Sequence, residues 1–164
     1  MTTDLEGYVQ GLEQRLLADG CSTQRATVPG YDVLVARRSD FRLSWGLTRL
    51  HTFTIAAVRA HVTVGLIQDF TERCQTFATD HKGGLPRGLQ TGVAVLPVLV
   101  GARVDRQAVE WASSQQRVKF ACLARPVVVD AASGEAHAFR GTAMLGVIYS
   151  RFLVQRLATY VPVG

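Results

Sequence analysis

The sequence predicts an α+β fold in which one mixed, largely antiparallel sheet carries packed helices. Three observations predict this class. Apolar residues recur at helical spacing near both ends of the chain, several short segments alternate apolar with polar residues, and residues 93–100 are almost entirely apolar. The expected element order is α-β-β-β-α-β-α-β-β-β-α. Because no linker or change of composition interrupts the chain, we expect one domain over residues 1–164.

The first predicted element is a helix whose apolar stripe ends at a glycine. Four apolar residues of this segment are three or four positions apart: Leu5, Val9, Leu12 and Leu16. Gly20 then provides a helix stop. Three strands are predicted next, over residues 22–28, 31–37 and 47–58, because these segments are rich in the β-branched and aromatic residues that suit a pleated surface.

A second helix and a buried strand are predicted in the middle of the chain. The helix covers residues 64–80, and Thr63 is placed to cap its N-terminus. The apolar run of residues 93–100 predicts a strand covered on both faces. Pro97 removes one hydrogen-bond donor from that strand, which implies a bulge or an edge position.

The last third of the chain predicts a short helix, further strands and a terminal helix. Asp105 is placed to begin a helix that ends near residue 114, and one strand is expected to include residues 118–122. Residues 127–130 and 135–139 flank a turn sequence and predict a hairpin. The terminal helix, residues 143–160, is apolar around much of its circumference. Two interpretations stay open for it, burial in the domain core or burial in a homodimer interface.

Composition indicates a folded cytoplasmic protein without a membrane-spanning segment. Of the 164 residues, 48% are hydrophobic and 19% charged. The N-terminus is acidic, unlike a signal peptide, and the longest uncharged stretch, residues 88–102, is shorter than the ~20 residues of a spanning helix. Cys21, Cys74 and Cys122 are scattered and odd in number, which predicts buried free thiols in a reducing compartment.

The positive charge is unevenly distributed along the chain. The formal net charge is +5. Residues 1–82 are neutral overall, but within them residues 25–59 hold six basic and two acidic side chains. Residues 83–164 hold nine basic and four acidic side chains. If the fold brings these segments together, they form a basic face suited to a polyanion such as nucleic acid.

The opening order α-β-β-β-α-β resembles the core of restriction-endonuclease-like folds over about the first 100 residues. This resemblance implies an acidic residue on the second strand and an acid-x-lysine group on the third. Asp32 stands near the start of the second predicted strand, but residues 48–52 of the third, Thr-Arg-Leu-His-Thr, contain neither an acid nor a lysine. The sequence therefore lacks a metal-dependent nuclease site at the expected positions.

Motifs of common enzyme classes are missing from the sequence. The four histidines show no metal-ligand spacing, and the sequence contains neither a serine-hydrolase elbow nor a dinucleotide-binding glycine motif. We therefore predict no catalytic, cofactor or metal site. An enzyme with a dispersed site is a third hypothesis, for which His51, His81 and Asp32 are the candidate residues.

A glycine-rich basic segment, residues 81–92, is the first candidate binding site. Its glycine spacing is similar to that of a phosphate-binding loop, but Leu89 stands where that motif needs lysine, and the segment precedes a strand instead of a helix. One interpretation is an anion-binding loop in which Lys82 and Arg87 are the cations. The other is a helix stop and a connection.

The second candidate is residues 37–49, which interleave cations with aromatic side chains. Arg37, Arg38 and Arg42 are suited to phosphates, and Phe41 and Trp45 to stacking on bases. The same pattern suits an anionic membrane surface, or a hairpin whose aromatic residues fold back onto the core. The sequence thus favours a protein that binds a polyanion, and a homodimeric assembly domain is the alternative.

Overall fold

The computed structural model describes residues 2–46, 48–82, 91–119, 121–144 and 146–163. Helix α1 (Thr2–Ala18) buries the predicted apolar stripe, and Leu12 and Leu16 are fully inaccessible. The chain then reverses at Gly20, whose φ of 85° lies in the left-handed region that favours glycine. The prediction of the first helix and of its stop is confirmed.

Three antiparallel strands follow, and two of them are longer than predicted. β1 (Ser22–Val28) pairs with β2 (Tyr31–Phe41), and β2 pairs with β3 (Arg49–Val62). The predicted limit of β2 at residue 37 is wrong, because its ladder with β3 continues to Phe41. A short 3-10 helix, Leu43–Trp45, lies between β2 and β3.

A crossover helix connects β3 to a long parallel neighbour. α2 (Val64–His81) begins as predicted, since the Thr63 hydroxyl accepts a hydrogen bond from the Leu66 backbone N–H at 3.2 Å. β4 (Thr91–Val104) then pairs parallel to β3, from Arg49 opposite Thr91 to Val62 opposite Val104. The ends of the two strands are therefore level, and residues 49 and 91 lie at the same end of the sheet.

Pro97 lies in the centre of the sheet, and the expectation of a bulge or an edge is wrong. It pairs in register with Ile55. The Val95 carbonyl accepts a hydrogen bond from Arg125 on the far side of β4, and residues two apart along a strand point the same way. The missing Pro97 donor therefore faces the point where one neighbouring strand ends and the next begins, so no ladder bond is lost.

The remaining strands number one more than the sequence predicts. After α3 (Arg106–Ser114) come β5 (Arg117–Lys119), β6 (Cys122–Ala124), β7 (Val127–Asp130) and β8 (Glu135–Ala138). The segment predicted as one strand is two antiparallel strands, and Ala121, with a φ of 58°, lies in the turn between them. β6 and β7 pair parallel to successive halves of β4, and β7 and β8 form the predicted hairpin.

The helices cover the sheet from both sides. The sheet order is β1-β2-β3-β4-β6-β5, with β7 also on β4 and β8 on β7. α2 and α3 pack on one side, where Val35, Phe53 and Ile55 join the core, and we call this the α2 side. α1 and α4 (Val147–Tyr160) pack on the opposite, α1 side. The mixed α+β class predicted from the sequence is confirmed.

α4 buries most of its apolar residues within the chain itself. Phe152, Leu153 and Leu157 are all buried against the α1 side of the sheet. The helix begins at Val147, later than predicted, after Gly146 with a φ of 71°. Among the described residues, none of the helices combines the length and the apolar character needed to cross a membrane. The three cysteines are buried free thiols, as predicted.

Candidate functional site

The candidate residues on β2 and β3 lie on both sides of the sheet, because successive side chains of a strand alternate between its two faces. Val33 and Val35 belong to the α2-side core, and Leu34 and Ala36 to the α1-side core. Since successive side chains of a strand point to opposite faces, the next two residues of β2, both arginines, also point to opposite faces. Arg37 lies on the α2 side and Arg38 on the α1 side.

Arg37 joins the sheet to the C-terminal end of α2. Its two terminal nitrogens donate to the carbonyl oxygens of His81 and Lys82, at 2.8 Å and 2.6 Å. These carbonyls are at the negative end of the helix dipole, which a guanidinium complements. The same guanidinium lies 5.1 Å from the centroid of the Phe53 ring. Arg37 therefore fixes the position of Lys82 beside β2 and β3.

His51 lies on the α2 side of β3, next to this contact. Only 8% of its side chain surface is exposed, and among the described residues neither ring nitrogen has a hydrogen-bond partner. It pairs across the sheet with Ser39, so that Arg37 is its diagonal neighbour, and Arg49 precedes it by two residues on the same face. A buried imidazole therefore lies among cationic side chains.

The electrostatic environment of His51 is positive. Its pKa is lowered first by burial, and then by the charges of Arg37, Arg49 and Lys82. In the part of the chain that the structure describes, all the charges that act on the imidazole in this way are positive. The low pKa keeps the ring neutral at pH 7, in which form it offers one donor and one acceptor.

Exposed side chains surround His51 at this end of the sheet. Arg49 and Lys82 are exposed, and the Arg49 guanidinium donates to the Ser39 hydroxyl at 3.3 Å. Phe41 lies directly opposite Arg49 in the β2–β3 ladder and is 47% exposed. We call this group of side chains the basic niche, and it consists of Arg37, Arg49, His51, Lys82 and Phe41.

Arg38 has a structural environment that differs from the one its sequence neighbourhood predicts. On the α1 side its guanidinium contacts Asp19 at 2.6 Å and Asp40 at 2.7 Å. Arg156 of α4 contacts Asp19 as well, at 2.6 Å, and the Tyr160 hydroxyl donates to the same carboxylate. Arg38, one of the arginines predicted to suit phosphates, is thus paired with two carboxylates of the chain.

Trp45 is part of the core and not an exposed stacking platform. Its side chain is 5% exposed and packs edge-on against the rings of Tyr149 and Phe152, at centroid distances of 5.1 Å and 5.4 Å. Arg42 lies over the Trp45 and Phe152 rings, also on the α1 side. Of the two aromatic residues predicted to stack on bases, Phe41 is exposed and Trp45 is buried.

The described ends of the glycine-rich segment lie at the basic niche. Lys82 belongs to the niche, and Thr91 pairs with Arg49 where β4 begins. Arg87, the second predicted cation of this segment, lies outside the described residues. The predicted binding residues are therefore not one cluster: Arg37 and Lys82 are together, and Arg38, Arg42 and Trp45 lie across the sheet.

The candidate residues of a dispersed enzyme are only partly brought together. His51 and His81 both lie towards the α2 side, and Arg37 contacts the His81 carbonyl. Asp32 lies seven residues from Ser39 along β2, about 23 Å from the niche. In the described part of the chain, no group of three His, Cys, Asp or Glu side chains is arranged to hold a metal ion.

Two cavities on the α2 side differ in their position relative to the basic niche. One cavity of ≈ 600 Å³ lies between the β1–β2 turn and α2, and both carboxylates and cations line it. Two of its carboxylates are paired within the chain, Asp69 with Arg73 and Glu72 with Lys119. A smaller cavity of ≈ 260 Å³ adjoins the niche and is lined by Arg37, Phe53 and His81.

Two niche residues were not among the predicted binding residues. Arg49 and His51 have the alternate spacing that places them on one face of a strand, and Arg37 and Phe41 have it on the preceding strand. This signal indicates a shared face only once the pairing register is known, and the sequence does not give the register.

A comparison of the chain with protein-family models, curated proteins and solved structures finds no match.

Proposed function

We propose that this protein binds nucleic acid, and that the basic niche contacts its sugar-phosphate backbone. The observation that carries the proposal is the cluster of Arg37, Arg49 and Lys82 around His51; within the described ranges, the charges that act on the imidazole are all positive. Phosphates supply the negative charge that such a cluster lacks.

The composition of the niche supports nucleic acid over other anions. Exposed Phe41 lies beside Arg49, which combines an aromatic face for a base with a cation for the adjoining phosphate. The cavity of ≈ 260 Å³ beside Arg37 adds a concave surface lined by Phe53 and His81. Stacking and phosphate contacts together are typical of proteins that bind single strands with little sequence preference.

The proposal is tested by titrating the protein with single- and double-stranded oligonucleotides at increasing salt concentration. We expect affinity to fall steeply as salt rises, because each phosphate contact releases counterions. Arg49→Gln and Lys82→Gln should each weaken binding about three- to tenfold and reduce the salt slope by about one. Both side chains are exposed, so that neither substitution disturbs the core.

Arg106→Gln is the matched control for these variants. Arg106 carries the same charge, and 91% of its side chain is exposed in α3. α3 follows the end of β4 that is level with Val62, about 40 Å along the strand from Arg49. If Arg49→Gln and Arg106→Gln lost affinity for oligonucleotides equally, binding would depend only on net charge, and the proposed site would be contradicted.

A homodimeric assembly domain is the second candidate function. Four exposed apolar side chains lie in the 3-10 helix and around the start of α4: Leu43, Met144, Val147 and Ile148. Met144 is 95% exposed, and contiguous exposed apolar surface is typical of protein contacts. Sedimentation at increasing protein concentration tests this candidate. A monomer at every concentration would remove it, and a dimer lost in Ile148→Asp would support it.

A further inference from the structure

We infer that β1 is the surface through which two copies of this chain associate, by pairing antiparallel with β1 of a second copy. The inference is independent of the proposed nucleic-acid binding, and it uses a different surface from the exposed apolar residues around the start of α4. Three features carry it: the open edge of the sheet, the register that its backbone allows, and the charges of Arg25 and Glu13.

β1 is an exposed edge strand. In the described part of the chain it pairs only with β2, through seven consecutive residues and without a bulge. Four of its residues are exposed and two are half-buried, so the helices on either side leave the edge open. β5, at the other end of the sheet order, has only three residues, and two of them are the cations Arg117 and Lys119. Short, charged edge strands resist pairing with another chain, whereas β1 has one charged residue and no proline.

The backbone of β1 can pair with a second copy over its whole length. A two-residue turn joins Val28 to Tyr31, and the closing pair of such a turn is hydrogen-bonded. Because the two kinds of pair alternate along an antiparallel ladder, Thr23, Arg25 and Thr27 direct their N–H and C=O groups away from β2. These three residues are symmetric about Arg25. A twofold axis at Arg25 therefore aligns them with the same residues of a second copy, in about six backbone hydrogen bonds.

The side chains along this contact are complementary. Arg25 faces the α1 side, where its guanidinium pairs with the Glu13 carboxylate at 3.0 Å. Like charges directly opposite each other in a sheet are destabilising, but each copy brings a carboxylate beside its arginine, so the four charges at the axis sum to zero. Thr23 lies opposite Thr27 of the second copy, and such threonine pairs stabilise a sheet. The chain as a whole carries a net charge of +5, so two copies repel each other least at this neutral edge.

Cavities open on both sides of the edge. One of ≈ 590 Å³ lies on the α1 side and is lined by Arg25 and Thr27, and the cavity of ≈ 600 Å³ on the α2 side is lined by Thr27 and Val28. Addition of a strand to a sheet edge combines backbone hydrogen bonds with pockets for alternate side chains. Both faces of β1 therefore have room for the side chains of the added strand.

The inference is tested by sedimentation equilibrium of the full-length protein at increasing concentration. We expect the mass to rise from 17.9 kDa towards twice that value. Arg25→Glu places four carboxylates at the axis and should raise the dissociation constant of the dimer about tenfold. Glu13→Arg places four cations there and should have the same effect. The double variant, Arg25→Glu with Glu13→Arg, should restore the dimer.

Arg106→Glu is the matched control, because it changes the net charge equally at an exposed position of α3, and it should leave the dimer unchanged. Thr27→Pro tests the backbone contact. It removes an N–H donor that points away from β2, in each copy, and should weaken the dimer about tenfold. Urea titrations of each variant verify that it is folded.

Amide hydrogen exchange locates the contact on the chain. The N–H groups of Thr23, Arg25 and Thr27 should exchange more slowly at concentrations where the dimer forms than at those where the monomer dominates. A monomer at every concentration overturns the inference, and would mean that a strand of another protein, or none, occupies this edge. A dimer that survives Arg25→Glu and Thr27→Pro but is lost in Ile148→Asp overturns it as well, because the contact then lies at α4. Neither result affects the proposed nucleic-acid binding, which the oligonucleotide titrations test.

Discussion

Arg37 and Arg38 are adjacent in sequence, but they lie in opposite electrostatic environments. Arg38, on the α1 side, contacts the carboxylates of Asp19 and Asp40. Arg37, on the α2 side, donates its hydrogen bonds to backbone carbonyls of described residues, and further cations lie near it. Carboxylates of the chain therefore pair with Arg38, whereas none contacts Arg37 among the described residues. The comparison shows that local charge content does not identify a binding surface, because the strand distributes its residues to two faces.

Asp19→Asn should have the largest effect, because it breaks the network on the α1 side. Arg38, Arg156 and Tyr160 all donate to this carboxylate, whose side chain is 17% exposed. Removing one partner of a mostly buried ion pair leaves uncompensated charges. We expect the free energy of unfolding in urea to fall by about 2–4 kcal/mol at pH 7.

Asp32→Asn is the control for this substitution. Asp32 is exposed at the other end of β2, and a surface change of this kind alters stability by about 0.5 kcal/mol or less. Equal stability of Asp19→Asn and Asp32→Asn would show that the Asp19 network does not stabilise the fold.

His51→Leu should have an effect of the opposite sign on the α2 side. The substitution removes two buried nitrogens that have no partner among the described residues, and it places an apolar side chain beside Phe53. We expect the free energy of unfolding to rise by about 1–2 kcal/mol in urea titrations, because unsatisfied buried polar groups are destabilising. A stability lower than that of the wild type would show that the imidazole supports the fold and is not held for a ligand.

The smallest effect is a pH dependence that separates the two sides again. The pKa of His51 is lowered in the folded state, first by burial and then by Arg37 of β2, Arg49 of β3 and Lys82 after α2. The unfolded chain therefore binds more protons, so that this contribution to stability is present above the unfolded pKa of about 6.5 and is lost as pH falls through the folded pKa. Urea titrations from pH 7.5 to 5.5 should show a loss of about 1 kcal/mol or less in the wild type.

His51→Leu provides the comparison for this measurement. It cannot titrate at this position, so its free energy of unfolding should change less over the same pH range. If the free energy of unfolding changed equally with pH in the wild type and in His51→Leu between pH 7.5 and 5.5, His51 would not be the cause of the pH dependence.

The carboxylate of Asp19 contributes to stability at a lower pH. Burial raises its pKa, but hydrogen bonds from Arg156, Tyr160 and Arg38 outweigh burial and lower it. Its contribution is present above the unfolded pKa and is lost as pH falls through the folded value.

The fold could be predicted further than the site. The stripe from Leu5 to Leu16 and the cap at Thr63 are local signals, and the structure confirms both. The turn at Ala121 was missed, because alternating apolar residues continue through it and no glycine or proline marks it.

The site depends on long-range information that a single sequence lacks. Assigning Arg37 and His51 to one cluster requires the β2–β3 register and the knowledge that α2 covers that face. The burial of Trp45 depends on Tyr149 and Phe152, more than 100 residues away. Trp45 is close to the arginines in sequence, which is why they were predicted to form one site, but its side chain packs in the core and away from Arg37.

The carboxylate of Asp19 also determines when the fold can be completed during synthesis. Asp19 directly follows the first helix, yet its partners Arg156 and Tyr160 are synthesised about 140 residues later. At roughly 5–20 residues per second, translation leaves that carboxylate without those partners for several seconds. Until then the first helix is held on the growing sheet by its apolar stripe and by contacts to early strands, such as that of Asp19 with Arg38, and the network around Asp19 is completed only once α4 has been made.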